Sequence, residues 1–189
     1  MANPKYQDMT ADEFLIWNLS QDERYELVDG VPMPLRGMTG ASNFHDDIVT
    51  NVIIALGNKL RGSGCKPRTA DTAMRTAIKR VRRPDVTIDC AESRPNSYES
   101  HNPIAAFEVL SPSTRKTDGG LKLTEYQHHP TLRTIVHIDP DRMDVAVFRR
   151  DDSGAWGGEN LTGPTDRIQI AGTPAALSLA EIYEGIPFD

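Results

Sequence analysis

Ile104-Ala-Ala-Phe-Glu-Val-Leu110 is the stretch on which the fold turns. A nearly continuous apolar run of this length is what a central strand needs when both faces of its sheet are covered. Glu108 interrupts the run. An ionised carboxylate in such a place costs several kcal/mol unless it is paired or bound to a cation. Two partners fit: an arginine or lysine, which makes a structural ion pair, or a metal ion, which makes a site.

Upstream, Arg83-Pro84-Asp85 leads into a short strand, Val86-Thr-Ile88, and supplies a second carboxylate. Two acids on neighbouring strands can converge on one divalent cation. A hard ion such as Mg²⁺ prefers oxygen ligands and keeps several waters for a phosphate or a nucleophile. Downstream, Ser111-Pro-Ser-Thr114 breaks the strand and Leu121 to His128 forms a helix. Arg133–Ile138 and Asp144–Phe148 read as strands joined across Asp139-Pro-Asp141, Gly154–Gly158 reads as a turn, and Ser178 caps a short last helix.

Nearer the N-terminus, Thr10 and Glu13 have the spacing of a capping box at the start of a first helix. Tyr25–Val28 and Val31–Leu35 flank Asp29-Gly30, a dipeptide that favours the positive φ angles of a tight hairpin. Pro32 and Pro34 mark the second of these strands as an edge. Ser42 opens the strongest helix: Phe44, Ile48, Val52, Leu56 and Leu60 recur at steps of four, and Arg61-Gly-Ser-Gly64 ends it. Lys66 to Ala77 reads as one strand. Together these predict an α/β domain spanning 1–189, a mixed central sheet flanked by helices.

The 189 residues suffice for one domain with a real core, and no apolar run approaches the roughly 18 residues of a membrane span. The N-terminus lacks the order of a signal peptide, so a cytoplasmic protein is expected. In that reducing compartment Cys65 and Cys90 are expected as two inert thiols, and their spacing suggests no zinc site. Net charge is −6, yet Lys59 to Arg83 carries nine basic residues against one acid. That stripe reads either as a phosphate-contacting face or as a solvated edge that resists aggregation.

Tyr25-Glu-Leu-Val-Asp-Gly30, Arg83-Pro-Asp-Val86, Phe107-Glu-Val-Leu-Ser-Pro-Ser-Thr114 and Asp118-Gly-Gly-Leu-Lys-Leu-Thr-Glu-Tyr126 follow one another in an order that resembles the Uma2 family. That family is a restriction endonuclease-like branch of the PD-(D/E)XK nuclease superfamily. The resemblance covers nearly the whole chain, and Glu108 to Thr114 is its most specific part. It implies a restriction-endonuclease-like core and a Mg²⁺- or Mn²⁺-dependent endonuclease that hydrolyses phosphodiester bonds in DNA. It also implies metal ligation by Asp85, Glu108 and the main-chain carbonyl of Val109, with Glu26 at a second ion or a metal-bound water.

One departure bears on activity. The family superclass has lysine two residues after the strand acid, and this chain has Leu110. The resemblance implies that Lys122, on the next helix, supplies the missing cation and completes a catalytic set with Asp85 and Glu108. Arg80, Arg82 and Arg83 are expected to hold DNA phosphates, and His45 to approach the same cleft. A twofold dimer suits double-strand cleavage. Two other readings stay open: a non-catalytic nucleic-acid-binding module, favoured by Leu110, and an interaction protein whose Asp85–Glu108 pair is neutralised by an arginine.

Overall fold

The computed structural model describes residues 8–35, 42–110 and 118–188, with 118 and 119 described by their backbone alone. Three buried clusters organise the chain, and each follows from a periodicity visible in the sequence. In α2 (Asn43–Lys59), capped by Ser42, Ile48, Val52 and Leu56 are buried on one face. That face packs on the alternate residues Ala105, Phe107 and Val109 of β7 (Pro103–Val109). On the other face of β7, Ala106 meets Tyr126 of α3 (Asp118–His128), with Leu132, Ile135 and Met74. The central strand is thus covered on both sides.

The large sheet takes in β3 (Lys66–Thr69), β6 (Val86–Asp89), β7, β8 (Thr134–Ile138), β9 (Val145–Arg150) and β10 (Trp156–Leu161). Its order is β10-β9-β8-β7-β6-β3. Only β7 and β8 of these run parallel, because α3 carries the chain back across the sheet between them. A smaller sheet is formed by β1 (Tyr25–Val28), β2 (Val31–Pro34), β4 (Met74–Ala77) and β5 (Arg80–Arg82), ordered β2-β1-β5-β4. The helix α1 (Ala11–Asn18) buries Ala11 and Phe14 against Tyr25, Leu27 and Val81 of that sheet. The short strands β11 (Arg167–Gln169) and β12 (Ala176–Ser178) and the helix α4 (Leu179–Ile182) close the large core.

The local signals held where they were chemically specific. Thr10 and Glu13 form the expected capping box, and Ser178 forms another with Glu181. Asp29 and Gly30 take φ of 49° and 83° at the turn between β1 and β2. Three expectations are corrected. Lys66 to Ala77 is two strands, because the turn after Thr69 sends β4 into the smaller sheet. The Gly154–Gly158 turn continues into β10, where Gly158 lies under the Phe148 ring and a Cβ would approach it to 3.0 Å. Cys65 and Cys90 are joined as a disulfide. They flank the Lys66↔Asp89 pair of β3 and β6, so the antiparallel register sets them opposite each other. Ser111 to Thr114 lie outside the described residues. Among the described residues, no helix is long and apolar enough to cross a membrane.

Candidate active site

The β6–β7 ladder builds the site. Val86 pairs with Phe107, and one step further Asp85 faces Glu108 at the end of the sheet where β6 begins and β7 ends. Residues directly opposite in an antiparallel ladder direct their side chains to the same face. Asp85 Oδ2 accepts the Val109 N–H at 2.8 Å, which fixes its carboxylate against the last residue of β7. His45, in the first turn of α2, brings Nε2 to 3.5 Å from the same oxygen.

From the other side, α3 projects Lys122 and Tyr126 one turn apart, and both reach Glu108. The Tyr126 hydroxyl donates to Glu108 Oε1 at 2.5 Å, and Lys122 Nζ stands 3.6 Å from that same oxygen. Lys122 also lies 3.1 Å from Glu26 Oε1, so a residue of the smaller sheet steadies it. Glu26 also accepts from Arg83 N at 3.1 Å and from Arg82 Nη1 at 3.0 Å. Glu125, one position before Tyr126, receives a two-pronged hydrogen bond from Arg82 at 2.6 and 2.7 Å.

Burial and charge set the protonation states. Burial pushes the Glu108 carboxyl up to about 7; Lys122 pulls it down and Asp85 pushes it further up. Burial opposes the charge on Lys122, but Glu108 and Glu26 outweigh it and hold its pKa above that of a free lysine. Glu26 is likewise opposed by burial, yet Lys122 and Arg82 hold it ionised below the usual carboxylate value. The hydrogen bond to Asp85 raises His45 against the effect of burial.

The residues predicted from sequence therefore divide. Asp85, Glu108, Lys122, Glu26 and His45 come together. Arg82 and Arg83 are 4% and 6% exposed and face inward. Arg83 donates to the carbonyls of Tyr25, Ala70 and Asp71, as a brace between loops. Arg80 stays at the surface and pairs with Asp29 at 2.6 Å. The basic stripe is dispersed over α2 and both sheets, and several of its members are answered by acids: Lys59 by Glu181, Arg75 by Asp12 and Glu99, Lys79 by Asp8.

Two contributors escaped the sequence reading. Tyr126 was legible only as a neighbour of Lys122 on one helical face, with nothing to mark it as the donor to Glu108. His137 is the register partner of Glu108 on β8 and is buried edge-on to the Phe148 ring, at 5.6 Å between centroids. Burial, helped by the Lys122 charge, pushes its pKa down to about 4 and keeps the imidazole neutral. A histidine within an apolar strand gives no such signal by itself.

The donor set suits a hard divalent ion. Among the described residues, three carboxylates (Glu26, Glu108 and Glu125) meet two buried cations, Arg82 and Lys122, while Asp85 is held by the Val109 N–H and His45. Glu108 Oε2 and Asp85 Oδ1 accept no hydrogen bond from the described residues. Among the described residues, no group of three or more His, Cys, Asp and Glu side chains is gathered so that side chains alone could hold a metal ion. Two carboxylates with main-chain oxygen and water are, however, the donors that Mg²⁺ takes.

Comparison with known proteins agrees with this architecture. The chain is 26% identical over 185 residues to the uncharacterized protein slr1290 of Synechocystis sp., an alignment covering 97% of this chain and 95% of that protein. Its fold superposes on a crystal structure described as a putative nuclease belonging to DUF820 from Anabaena variabilis, with a TM-score of 0.70 and 18% identity. That superposition covers 93% of this chain and 97% of the other, and the fold is restriction-endonuclease-like. The sequence pattern of Uma2, described as "Putative restriction endonuclease", matches residues 11–181. From α1 to α4, the chain belongs to the Uma2 family.

Proposed function

We propose that the protein is a Mg²⁺- or Mn²⁺-dependent endonuclease that hydrolyses phosphodiester bonds in DNA. The observation that carries this reading is the Lys122 ammonium, 3.6 Å from Glu108, which provides the cation that Leu110 lacks. Asp85, Glu108 and the Val109 carbonyl would hold the ion. When bound, the ion supplies Lewis acidity at the scissile phosphate and a water of lowered pKa.

The chain's own residues do the rest. Lys122 stabilises the negative charge that develops on the phosphorane, and preorganised charge of this kind carries much of a phosphoryl transfer. Glu26 acts through Lys122: its oxygens are committed to Lys122, Arg82 and Arg83, so it fixes the ammonium and leaves the ion to Asp85 and Glu108. His45 holds Asp85 from the α2 side and faces the substrate from there. Arg80, the member of the predicted arginine trio at the surface, would meet a phosphate by exchanging its Asp29 partner.

A non-catalytic nucleic-acid-binding module is the second reading, and Leu110 favours it. Purified protein incubated with plasmid and with single-stranded DNA, in Mn²⁺ or in EDTA, separates the two. Cleavage that needs Mn²⁺ and disappears in Glu108→Ala supports the nuclease. Binding without cleavage in any metal assigns the module.

A further inference from the structure

The two α3 side chains that reach Glu108 do not share its oxygens between them. Tyr126 Oη donates to Oε1 at 2.5 Å and Lys122 Nζ approaches Oε1 at 3.6 Å. Oε2 accepts nothing from the described residues. Tyr126 cannot easily release its bond, because its side chain is fully buried among Met74, Ala106, Leu132 and Ile135. Helix spacing makes the arrangement one unit: Lys122 and Tyr126 are one turn apart on the same face.

We propose that Tyr126 is a positioning residue that makes Glu108 a one-oxygen ligand and thereby selects the ion. This inference rests on the metal-site reading above. The phenol takes one lone pair of Oε1 and the ammonium stands 3.6 Å from it, so Oε2 is the oxygen left open to a bound cation. Mg²⁺ and Mn²⁺ tolerate that restriction, since a small octahedral ion takes one oxygen per carboxylate and fills its shell with water. Ca²⁺ is larger, takes six to eight oxygens, and gains from bidentate carboxylates. With Oε1 engaged by the phenol, Ca²⁺ gives up the bidentate contact and must fill that place with water. Tyr126 therefore discriminates between ions without touching either.

The test is direct binding of Mn²⁺ and of Ca²⁺ by titration calorimetry, on wild type, Tyr126→Phe and Leu132→Ala, with melting temperatures recorded. Phenylalanine keeps the buried ring and removes only the donor. Leu132→Ala opens the same core cluster without touching Glu108, so it reports what loosened packing alone does. The expected result is wild-type preference for Mn²⁺ over Ca²⁺, falling about tenfold or more in Tyr126→Phe, the size typical of losing an outer-shell partner. Leu132→Ala keeps the wild-type ratio despite a lower melting temperature. A ratio unchanged in Tyr126→Phe, or lowered equally by Leu132→Ala, overturns the selection role while leaving the metal site standing. Wild-type protein that binds neither ion overturns the site itself, and this inference with it.

Discussion

Lys122 stands 3.6 Å from Glu108 although the two belong to different elements, α3 and β7. A lysine two positions after the acid would share its strand and its face. Here the crossover helix returns the charge to the same point. Lys122→Ala is therefore expected to lower cleavage by about 10² or more, the scale of losing one preorganised charge at a transition state. Mn²⁺ binding should survive, since the ammonium acts on the phosphoryl group. Lys122→Arg should rescue poorly because a planar guanidinium does not replace a compact ammonium. Single-turnover cleavage beside calorimetric binding reads both; normal cleavage by Lys122→Ala removes the lysine from the mechanism.

Asp85 and Glu108 should report the ion without any substrate. A ligand that binds only the native state raises stability by mass action. Wild-type protein should melt higher in millimolar Mn²⁺ than in EDTA, and Asp85→Asn and Glu108→Gln should each lose that difference. A salt-bridged pair would show no metal-dependent shift in the wild type.

Arg82 is expected to matter for stability before it matters for DNA. It is 4% exposed and bridges Glu26 and Glu125 at 2.6–3.0 Å, joining two strands of the smaller sheet to α3. Removing one member of such a buried set strands the others, at a cost of about 3–5 kcal/mol. Arg82→Met should show that loss in urea unfolding. Arg80→Ala, at the surface, should stay near wild-type stability and reduce the salt dependence of DNA binding instead. The reverse assignment would place Arg82, and not Arg80, at the phosphates.

The Cys65–Cys90 bridge closes a separation of 25 residues that contains β3, β4, β5, Asp85 and β6. Loop-closure entropy for that length corresponds to about 3 kcal/mol. Reduction, or the double change Cys65→Ser and Cys90→Ser, should lower the melting temperature by several degrees. An unchanged melting temperature on reduction would mean that the two thiols are already free in solution.

Glu181 gives a pH signature away from the site. Burial works against its charge, but the Lys59 ammonium and the Ser178 N–H and hydroxyl outweigh it and hold the carboxyl at about 2, below the ordinary 4.5. A depressed folded-state pKa stabilises above the unfolded value, and that stability is lost as pH falls through the folded one. Glu181→Gln keeps the capping-box geometry and removes the charge, so it should cost about 0.5 kcal/mol near neutrality, the scale of a charge at a helix N-terminus. The gap to wild type should narrow between pH 4.5 and about 2. A gap that is constant with pH would remove the carboxylate's charge from the explanation.

The elements that could be read from sequence are those whose signals are local. The steps of four in α2, the Asp29-Gly30 turn, the two capping boxes and the apolar run around Glu108 each refer to neighbours within a few positions. Arg82 and Arg83 could not be read in this way. Their partners Glu26 and Glu125 lie 57 and 43 residues away, and a charged run looks the same in sequence whether it is solvated or internal. The strand β10 was missed because its central residues are exposed on both faces and include Gly157 and Gly158, so it shows no two-residue alternation. Glu108 stood out as an acid in an apolar strand, whereas a Pro-Asp step and a helical lysine are common, so Asp85 and Lys122 were singled out through the resemblance to the Uma2 family. Tyr126 was not, because a buried aromatic on a helix needs no function to explain it.

The order in which these groups leave the ribosome has its own consequence. Glu26, Arg82, Asp85 and Glu108 are all synthesised before Lys122, Glu125 and Tyr126. A growing chain that has emerged only through β7 holds the acids of the cleft without its lysine, and Arg82 without Glu125. The cleft is therefore assembled by the crossover helix and not before it, so a chain that ends before α3 holds Glu26 and Glu108 without the ammonium that offsets them. The charge balance of the cleft arrives in one step, when α3 docks.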